Sequence, residues 1–226
     1  MAYLKRIVCL ANSFKKGGSC IAGRELVGQG FGGWIRPVSD RPTAEVWASE
    51  SRYEIGSPRL LDIMDVPLLR PDPRHHQTEN HVIDTSLRWA KVGELPWAAL
   101  AQIVDRPPSL WINSDHTKGP GYYDCISEAE ASTLQNSLAL IKPDNFHVEV
   151  GPHYYTGKRT YRASFAYNGT NYNVSLTDPV ATNKYAADGT YPLNDVYVCI
   201  SLTEPWEKDN NRCHKLVAAI FSNPPL

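Results

Sequence analysis

Short apolar runs separated by polar or glycine-rich turns fill the first part of the chain, and this pattern is typical of β-strands. Side chains alternate across a strand, so Trp34, Arg36 and Val38 share one face. Pro37 cannot donate a ladder hydrogen bond, so we predict that this strand lies at an edge or ends there. Glycines 28, 30, 32 and 33 predict a loop before it. The predicted strands are 4–10, 19–26, 34–39, 60–69 and a fifth around 81–83.

The middle of the chain changes to a helical period. The first predicted helix starts at Pro96 and carries apolar residues at i, i+3, i+4 and i+7, namely Trp97, Leu100, Ala101 and Val104. A second helix starts at Ser127, which forms a capping-box pattern with Glu130, and Leu134 and Leu138 extend it.

The clearest local signal is a hairpin in the last third of the chain. Asn168-Gly169 is the preferred pair for a two-residue type I′ turn, because both positions need a positive φ. This turn sets a register that places three apolar pairs on one face, namely Phe165–Tyr172, Ala163–Val174 and Tyr161–Leu176. Residues 196–202 and 216–221 predict two more strands.

Two clusters of about five short strands with a helical segment between them predict a mainly β fold with some helix. We expect two small β-barrels or sandwiches joined by a short helical connector. One mixed sheet with helices packed on it is the alternative. Strand and helix do not alternate regularly, so a doubly wound α/β fold is not expected.

Composition narrows the class of protein without giving its function. The 226 residues are 42% hydrophobic and 21% charged, as in ordinary globular domains. No apolar run approaches the roughly 20 residues of a membrane span, and the N-terminus shows no secretory signal. The five cysteines are scattered and form no CxxC pair, which indicates free thiols in a reducing cytoplasm.

The charge is unevenly distributed although the whole chain carries only −1. Residues 1–42 hold seven lysines and arginines against Glu25 and Asp40. Residues 43–135 are acidic, and residues 136–226 are balanced. A strongly basic duplex-binding domain is therefore not expected, whereas a local basic surface near the N-terminus is compatible with the sequence.

Six segments resemble the bacterial dual OB-containing domain family: KRIVCLANS at 5–13, CIAGREL at 20–26, GWIRPVS at 33–39, HQTEN at 76–80, LTDP at 176–179 and HKLVAAI at 214–220. The resemblance covers nearly the whole chain. It implies two OB-type barrels that bind nucleic acid, as an accessory module linked to prokaryotic defence. With the strand pattern, it predicts a first barrel over 1–90, a helical connector over 91–137 and a second barrel over 138–226.

Basic groups track a nucleic-acid backbone and aromatic rings stack on its bases, so such residues are the candidate contacts. In the first barrel they are Lys15, Lys16, Arg24, Trp34 and Arg36; in the second they are Tyr154, Tyr155, Lys158, Arg159 and Arg162. Ordinary structural roles compete with this interpretation. Trp34 also suits a core position, and Lys15 and Lys16 also suit a solvated turn. The hairpin register assigns Tyr161 to the apolar face.

Other chemistry is poorly supported. The glycine-rich segment 28–33 lacks the Lys-Ser/Thr ending of a phosphate loop. A metal site assembled from His75, His76, Glu79 and His81 fits no standard spacing, and an acid–base set would combine Asp178 with Lys184, His116 or His214. No nucleophile elbow, paired carboxylates or deaminase pattern accompanies them. We therefore assign no catalytic residue, metal or cofactor.

The sequence thus predicts a protein that binds single-stranded or structured nucleic acid, and it favours binding over catalysis without deciding whether the protein is also an enzyme. Two alternatives stay open at this point. The first is a sensor of a nucleotide-like small ligand bound between the barrels. The second is an enzyme that processes nucleic acid or nucleotides.

Overall fold

The computed structural model describes residues 2–15, 17–117, 119, 121–153 and 156–226, and the chain divides into two compact units. The first unit is Met1–Ile103 and the second is Val104–Leu226. The predicted connector region 91–137 contains secondary structure that belongs to both units. The division into 1–90, 91–137 and 138–226 stays a prediction.

Six strands build the first unit, and five of them close into a barrel. They are β1 (Tyr3–Lys15), β2 (Gly18–Val27), β3 (Gly30–Val38), β4 (Asp62–Pro71), β5 (Asn80–Ile83) and β6 (Ala90–Glu94). Strand β1 pairs with β2 and with β4, so the order β1-β2-β3-β5-β4 returns to β1. Strands β3 and β5 are parallel, and β6 pairs with β4 over residues 62–65, next to the part of β4 that pairs with β5. A 3₁₀ turn (Trp97–Ala99) and α1 (Leu100–Ile103) follow, which confirms the first predicted helix.

The inward face of this barrel is apolar, as strand alternation requires. Its buried core includes Ile7, Cys9, Ile21, Ile35, Met64, Val66, Leu68 and Trp89. Ile35 points inward on β3, so Trp34 and Arg36 lie on the opposite face. The predicted shared face of Trp34, Arg36 and Val38 is therefore confirmed.

Strand β3 differs from the prediction at its start. It begins at Gly30, so only the turn at Gly28 is a loop, and the expected loop over the four glycines is wrong. Glycines carry no side chain that could display an alternating pattern, which is why the segment resembled a loop. The strand ends one residue after Pro37, as expected. The pairing with β2 has already ended at Ile35, so the missing N–H of Pro37 costs no bond on that side.

The second unit repeats the same strand order. Its strands are β7 (Cys125–Ile126), β8 (Leu138–Ile141), β9 (Asp144–Pro152), β10 (Arg159–Tyr167), β11 (Thr170–Leu176), β12 (Gly189–Leu193), β13 (Tyr197–Leu202) and β14 (Cys213–Phe221). Only two residues separate β8 from β9. These two strands together correspond to β1 of the first unit, because β9 pairs with β10 and β8 pairs with β13. Strands β11 and β14 are parallel, like β3 and β5. The predicted mainly β fold with two OB-like barrels is confirmed.

The predicted hairpin is β10–β11. Phe165 pairs with Tyr172 and Ala163 pairs with Val174, and all four are buried in the core of the second barrel. Asn168 and Gly169 have φ values of 46° and 75°. Both central residues are thus left-handed, as a type I′ turn demands, and the predicted turn type and register are confirmed.

The second predicted helix is shorter than expected. Helix α2 (Glu128–Ala131) starts with the capping box, because Ser127 Oγ accepts from the N–H of Glu130 and the Glu130 carboxylate accepts from the N–H of Ser127. The extension through Leu138 is wrong, since Leu138 opens β8 and pairs with Ser201. The longest helix described, α3 (Pro179–Lys184), has six residues, so none of the described helices can cross a membrane.

Candidate nucleic-acid interface

A groove of about 1240 Å³ lies on the outer surface of the second barrel. Its floor is formed by β10 and β11, where Ala163 and Val174 point inward. Because side chains alternate, Arg162 and Ser175 point outward to the groove. Its two walls come from the β9–β10 connection and the β13–β14 connection, including His153 and Gly157 on one side and Trp206, Lys208 and Arg212 on the other.

Arg162 is fixed on this floor by a network of buried polar groups. Its Nη2 donates to Asp124 Oδ2 at 2.9 Å and to the Asn173 carbonyl at 2.5 Å, and its Nε donates to the Asn173 side chain. Asp124 in turn accepts from the N–H and the hydroxyl of Thr117, each at 2.7 Å. A Cβ at Gly121 would lie 2.3 Å from Asp124 Oδ2, so only glycine allows this arrangement.

The electrostatics of Asp124 follow from this network. Burial alone would raise the pKa of its carboxyl group. The hydrogen bonds from Thr117 and the ion pair with Arg162 outweigh burial, so the pKa lies below its ordinary value. Asp124 is therefore a carboxylate at neutral pH, and it forms an ion pair with Arg162 at 2.9 Å.

Trp206 stands on the wall of the groove with 52% of its surface exposed. Its backbone pairs with that of Arg212 across the loop, and its ring meets the ring of His214 edge-on at 5.7 Å. Arg212 bonds Asp209 at 2.5 Å and Asp115 at 3.2 Å, which stiffens the same loop. This wall therefore combines an exposed aromatic ring with the basic residues Lys208 and Arg212.

The opposite wall contains the predicted contact Arg159, and the predicted contact Lys158 precedes it in the chain. Lys158 is exposed, and within the described part of the chain it forms no ion pair. Arg159 lines the groove, is exposed, and bonds Asp188 at 3.1 Å and the carbonyl of Ala186. The structure therefore brings Arg159 and Arg162 into one groove, with Lys158 beside them. Tyr154 and Tyr155 lie outside the described residues.

The predicted contacts of the first unit are distributed differently. Arg24 and Trp34 are cross-strand neighbours, and the guanidinium lies 5.6 Å from the indole ring. Both side chains are half-buried, as is Lys15 at the end of β1. Lys16 lies outside the described residues. Arg36 is only 2% exposed, and its Nη2 lies 3.5 Å from Glu79 Oε1, so its charge is matched inside the unit instead of facing solvent.

Asp178, a candidate for acid–base chemistry, has a structural place. It is buried, and its carboxylate accepts from the N–H groups of Val180, Ala181 and Ile220, so it caps α3 and ties it to β14. Burial raises the pKa of Asp178 in spite of these bonds. No group of three His, Cys, Asp or Glu side chains among the described residues is arranged to hold a metal ion.

Sequence reasoning missed Trp206, Lys208 and Arg212. They lie in a polar loop between two strands and follow neither a strand nor a helix period. One signal was available: Trp206 is a large aromatic residue next to six polar positions, 207–212, where no core is expected to receive it.

Two observations decide the relationship to known proteins. The model of the family described as the dual OB-containing domain matches residues 5–220, and both units have the strand order described above. The chain belongs to the dual OB-containing domain family. Neither curated proteins nor solved structures include a match to it. OB barrels bind oligonucleotides and oligosaccharides on the face of their second and third strands, between the loops 1–2 and 4–5. In the second unit of this dual OB-containing domain, the groove has that position.

Proposed function

We propose that the groove of the second unit binds single-stranded nucleic acid. The observation that carries this proposal is the exposed face of Trp206 beside a groove with basic residues on both walls, at the OB binding position. A base stacked on such a ring contributes about 1–3 kcal/mol by alanine substitution, and every base offers a face to stack.

The charges around the groove favour a single strand over a duplex. Arg159, Arg162 and Arg212 each have an acidic partner, which leaves Lys158 and Lys208 as cations without an ion pair in the described part of the chain. A duplex binder would present a continuous basic stripe. Here stacking supplies much of the affinity, and phosphate contacts add to it.

The test is binding of fluorescently labelled single-stranded DNA and RNA oligonucleotides, followed by anisotropy across a salt series. Each cation that touches phosphate contributes about 0.7 to the slope of log affinity against log salt. We expect a slope of about 2 if Lys158, Arg159 and Lys208 all contact phosphate. A slope near zero would support the alternative of a small nucleotide-like ligand instead.

Trp206→Ala tests the stacking, and Trp47→Ala is the matched control, because Trp47 is 48% exposed but belongs to the first unit. We expect Trp206→Ala to weaken oligonucleotide binding by roughly 5- to 150-fold. Trp47→Ala should leave binding within about twofold. Equal affinity of wild-type protein and Trp206→Ala would contradict the proposal.

The proposal has two further parts, a second contact surface on the first unit and a biological role, and each rests on a separate observation. The pair Arg24–Trp34, with Lys15 and Lys16, provides a second contact surface on the first unit, supported by the half-exposed ring and its cationic neighbour. Arg36 is not proposed as a contact residue, because its side chain is buried. The role as an accessory module in prokaryotic defence is supported by the family resemblance alone.

A further inference from the structure

On the floor of the groove, one nitrogen of the Arg162 guanidinium makes no hydrogen bond within the described residues. Nε and Nη2 of Arg162 are bonded to Asn173 and Asp124, whereas Nη1 has no hydrogen-bond partner among the described residues. Arg162 lines the groove. Its two Nη1–H donors are therefore available to a ligand on the floor.

This guanidinium is held in place before any ligand binds. Its side chain is 13% exposed, and Asp124, which is 3% exposed, is anchored by Thr117. Asn173 is also held in place, because its Nδ2 donates to Oε2 of Glu149, the cross-strand neighbour of Arg162, at 2.8 Å. A donor that is already ordered loses little conformational entropy on binding, so it binds more strongly than a free surface arginine.

A second donor lies beside it. Ser175 is the direct cross-strand partner of Arg162, points to the same face and lines the groove. Its hydroxyl makes no hydrogen bond within the described part of the chain. His214 reaches the same groove from β14, the strand that pairs with β11 through Ser175 and Leu216.

We infer that the floor of the groove is a phosphate subsite, in which Arg162 Nη1 and Ser175 Oγ donate hydrogen bonds to oxygens of one phosphate group. A phosphate offers several acceptor oxygens, so donors from two neighbouring strands can reach it together. The inference rests on the proposed function only for the source of the phosphate, which is the bound nucleic-acid strand. The existence of the subsite is independent of that function.

The surrounding charges set the strength of this subsite. Asp124, Asp209 and Glu149 carry negative charges beside the positive charges of Arg162 and Arg212, so the floor has no excess of positive charge. Phosphate alone should therefore bind weakly, with a Kd in the millimolar range. A strand gains from the same contact because Trp206 and the wall cations bind it at the same time.

The probe is inorganic phosphate, titrated into isotopically labelled protein while the amide resonances of Arg162 and Ser175 are followed by NMR at fixed ionic strength. Ser175→Asp places a carboxylate beside Arg162 that occupies Nη1 and repels phosphate. Ser132→Asp is the matched control, because Ser132 is exposed in the same unit and does not line the groove. We expect saturable shifts in the wild type and in the control, and at least tenfold weaker phosphate binding by Ser175→Asp.

Oligonucleotides with a 5′-phosphate and with a 5′-hydroxyl identify the source of the phosphate. Tighter binding of the phosphorylated strand assigns a terminal monoester to the subsite. Equal binding, weakened in both cases by Ser175→Asp, assigns an internal diester. Unchanged phosphate shifts in Ser175→Asp, or no shifts at Arg162 and Ser175 in the wild type, would overturn the inference even if oligonucleotides bind. Phosphate shifts without any oligonucleotide binding would uphold the subsite and reject the proposed function.

Discussion

Lys215 is completely buried in the second unit, and this gives a measurable dependence of stability on pH. Its Nζ donates to the carbonyl of Ile112 and to Asn113 Oδ1, each at 2.8 Å, and lies 5.5 Å from the centre of the Tyr172 ring. None of these groups is an anion. Burial therefore lowers the pKa of Lys215 from 10.5 to about 8.

The sign and size of this pH dependence follow from the linkage between proton binding and folding. Below pH 8 the folded and the unfolded chain both hold the proton, so the cost of burying the charge is fully present. Between pH 8 and 10.5 only the unfolded chain keeps the proton, so the stability contributed by this group rises with pH. At 1.36 kcal/mol per pKa unit, the free energy of unfolding should gain about 2.5 kcal/mol from Lys215 between pH 7 and pH 10.

The assay is urea denaturation of wild type and Lys215→Met at several pH values from 7 to 10, with Lys184→Met as the control for an exposed lysine. At pH 7 the variant loses the cost of the buried charge but leaves two acceptors unpaired at about 1–3 kcal/mol each, so its stability should be close to that of the wild type. Toward pH 10 the wild type should become more stable than Lys215→Met by about 2.5 kcal/mol relative to pH 7. Parallel pH curves of the two proteins would refute the reasoning.

Two further predictions concern the turn and the thiols. Gly169 has a φ of 75°, so Gly169→Val should lower the free energy of unfolding by about 1–3 kcal/mol, and an unchanged denaturation midpoint would contradict this. All five cysteines are free, so Ellman's reagent should detect five thiols in denaturant without reductant, and three or fewer would contradict it. In the folded protein only the half-buried Cys20 should react fast, because the other four are buried and burial raises the pKa of Cys9, Cys125 and Cys213 to about 12.

Local signals predicted the parts of the fold that local chemistry determines. Asn168-Gly169 defined a turn type, and the turn type defined a register that the apolar pairs could check. The capping box likewise located the start of α2. Where side chains give no pattern, the prediction failed: glycine at 30 and 32 hid the start of β3, and the i, i+4 spacing of Leu134 and Leu138 extended a helix into a strand.

The candidate site was harder to predict because its contacts are distant in sequence. Strand alternation placed Arg36 on the correct face of β3, but it could not show that Glu79 lies against that face. The sequence indicated Arg162 as a candidate nucleic-acid contact because of its positive charge. Its partner Asp124 lies 38 residues away, so the fixed orientation of the guanidinium could not be inferred from the sequence.

The two barrels share a strand order, but their outward-facing arginines have different surroundings. Arg36 is enclosed with Glu79 and is 2% exposed, whereas Arg162 is held from one side by Asp124 and still lines an open groove. The fold therefore provides a surface on which a site can be built, but it does not provide the site. The groove of the second unit brings together the exposed ring of Trp206 and two groups, Arg162 Nη1 and the Ser175 hydroxyl, that make no hydrogen bond within the described residues. Substitutions at these positions, more than the removal of surface charge in general, should separate binding from folding.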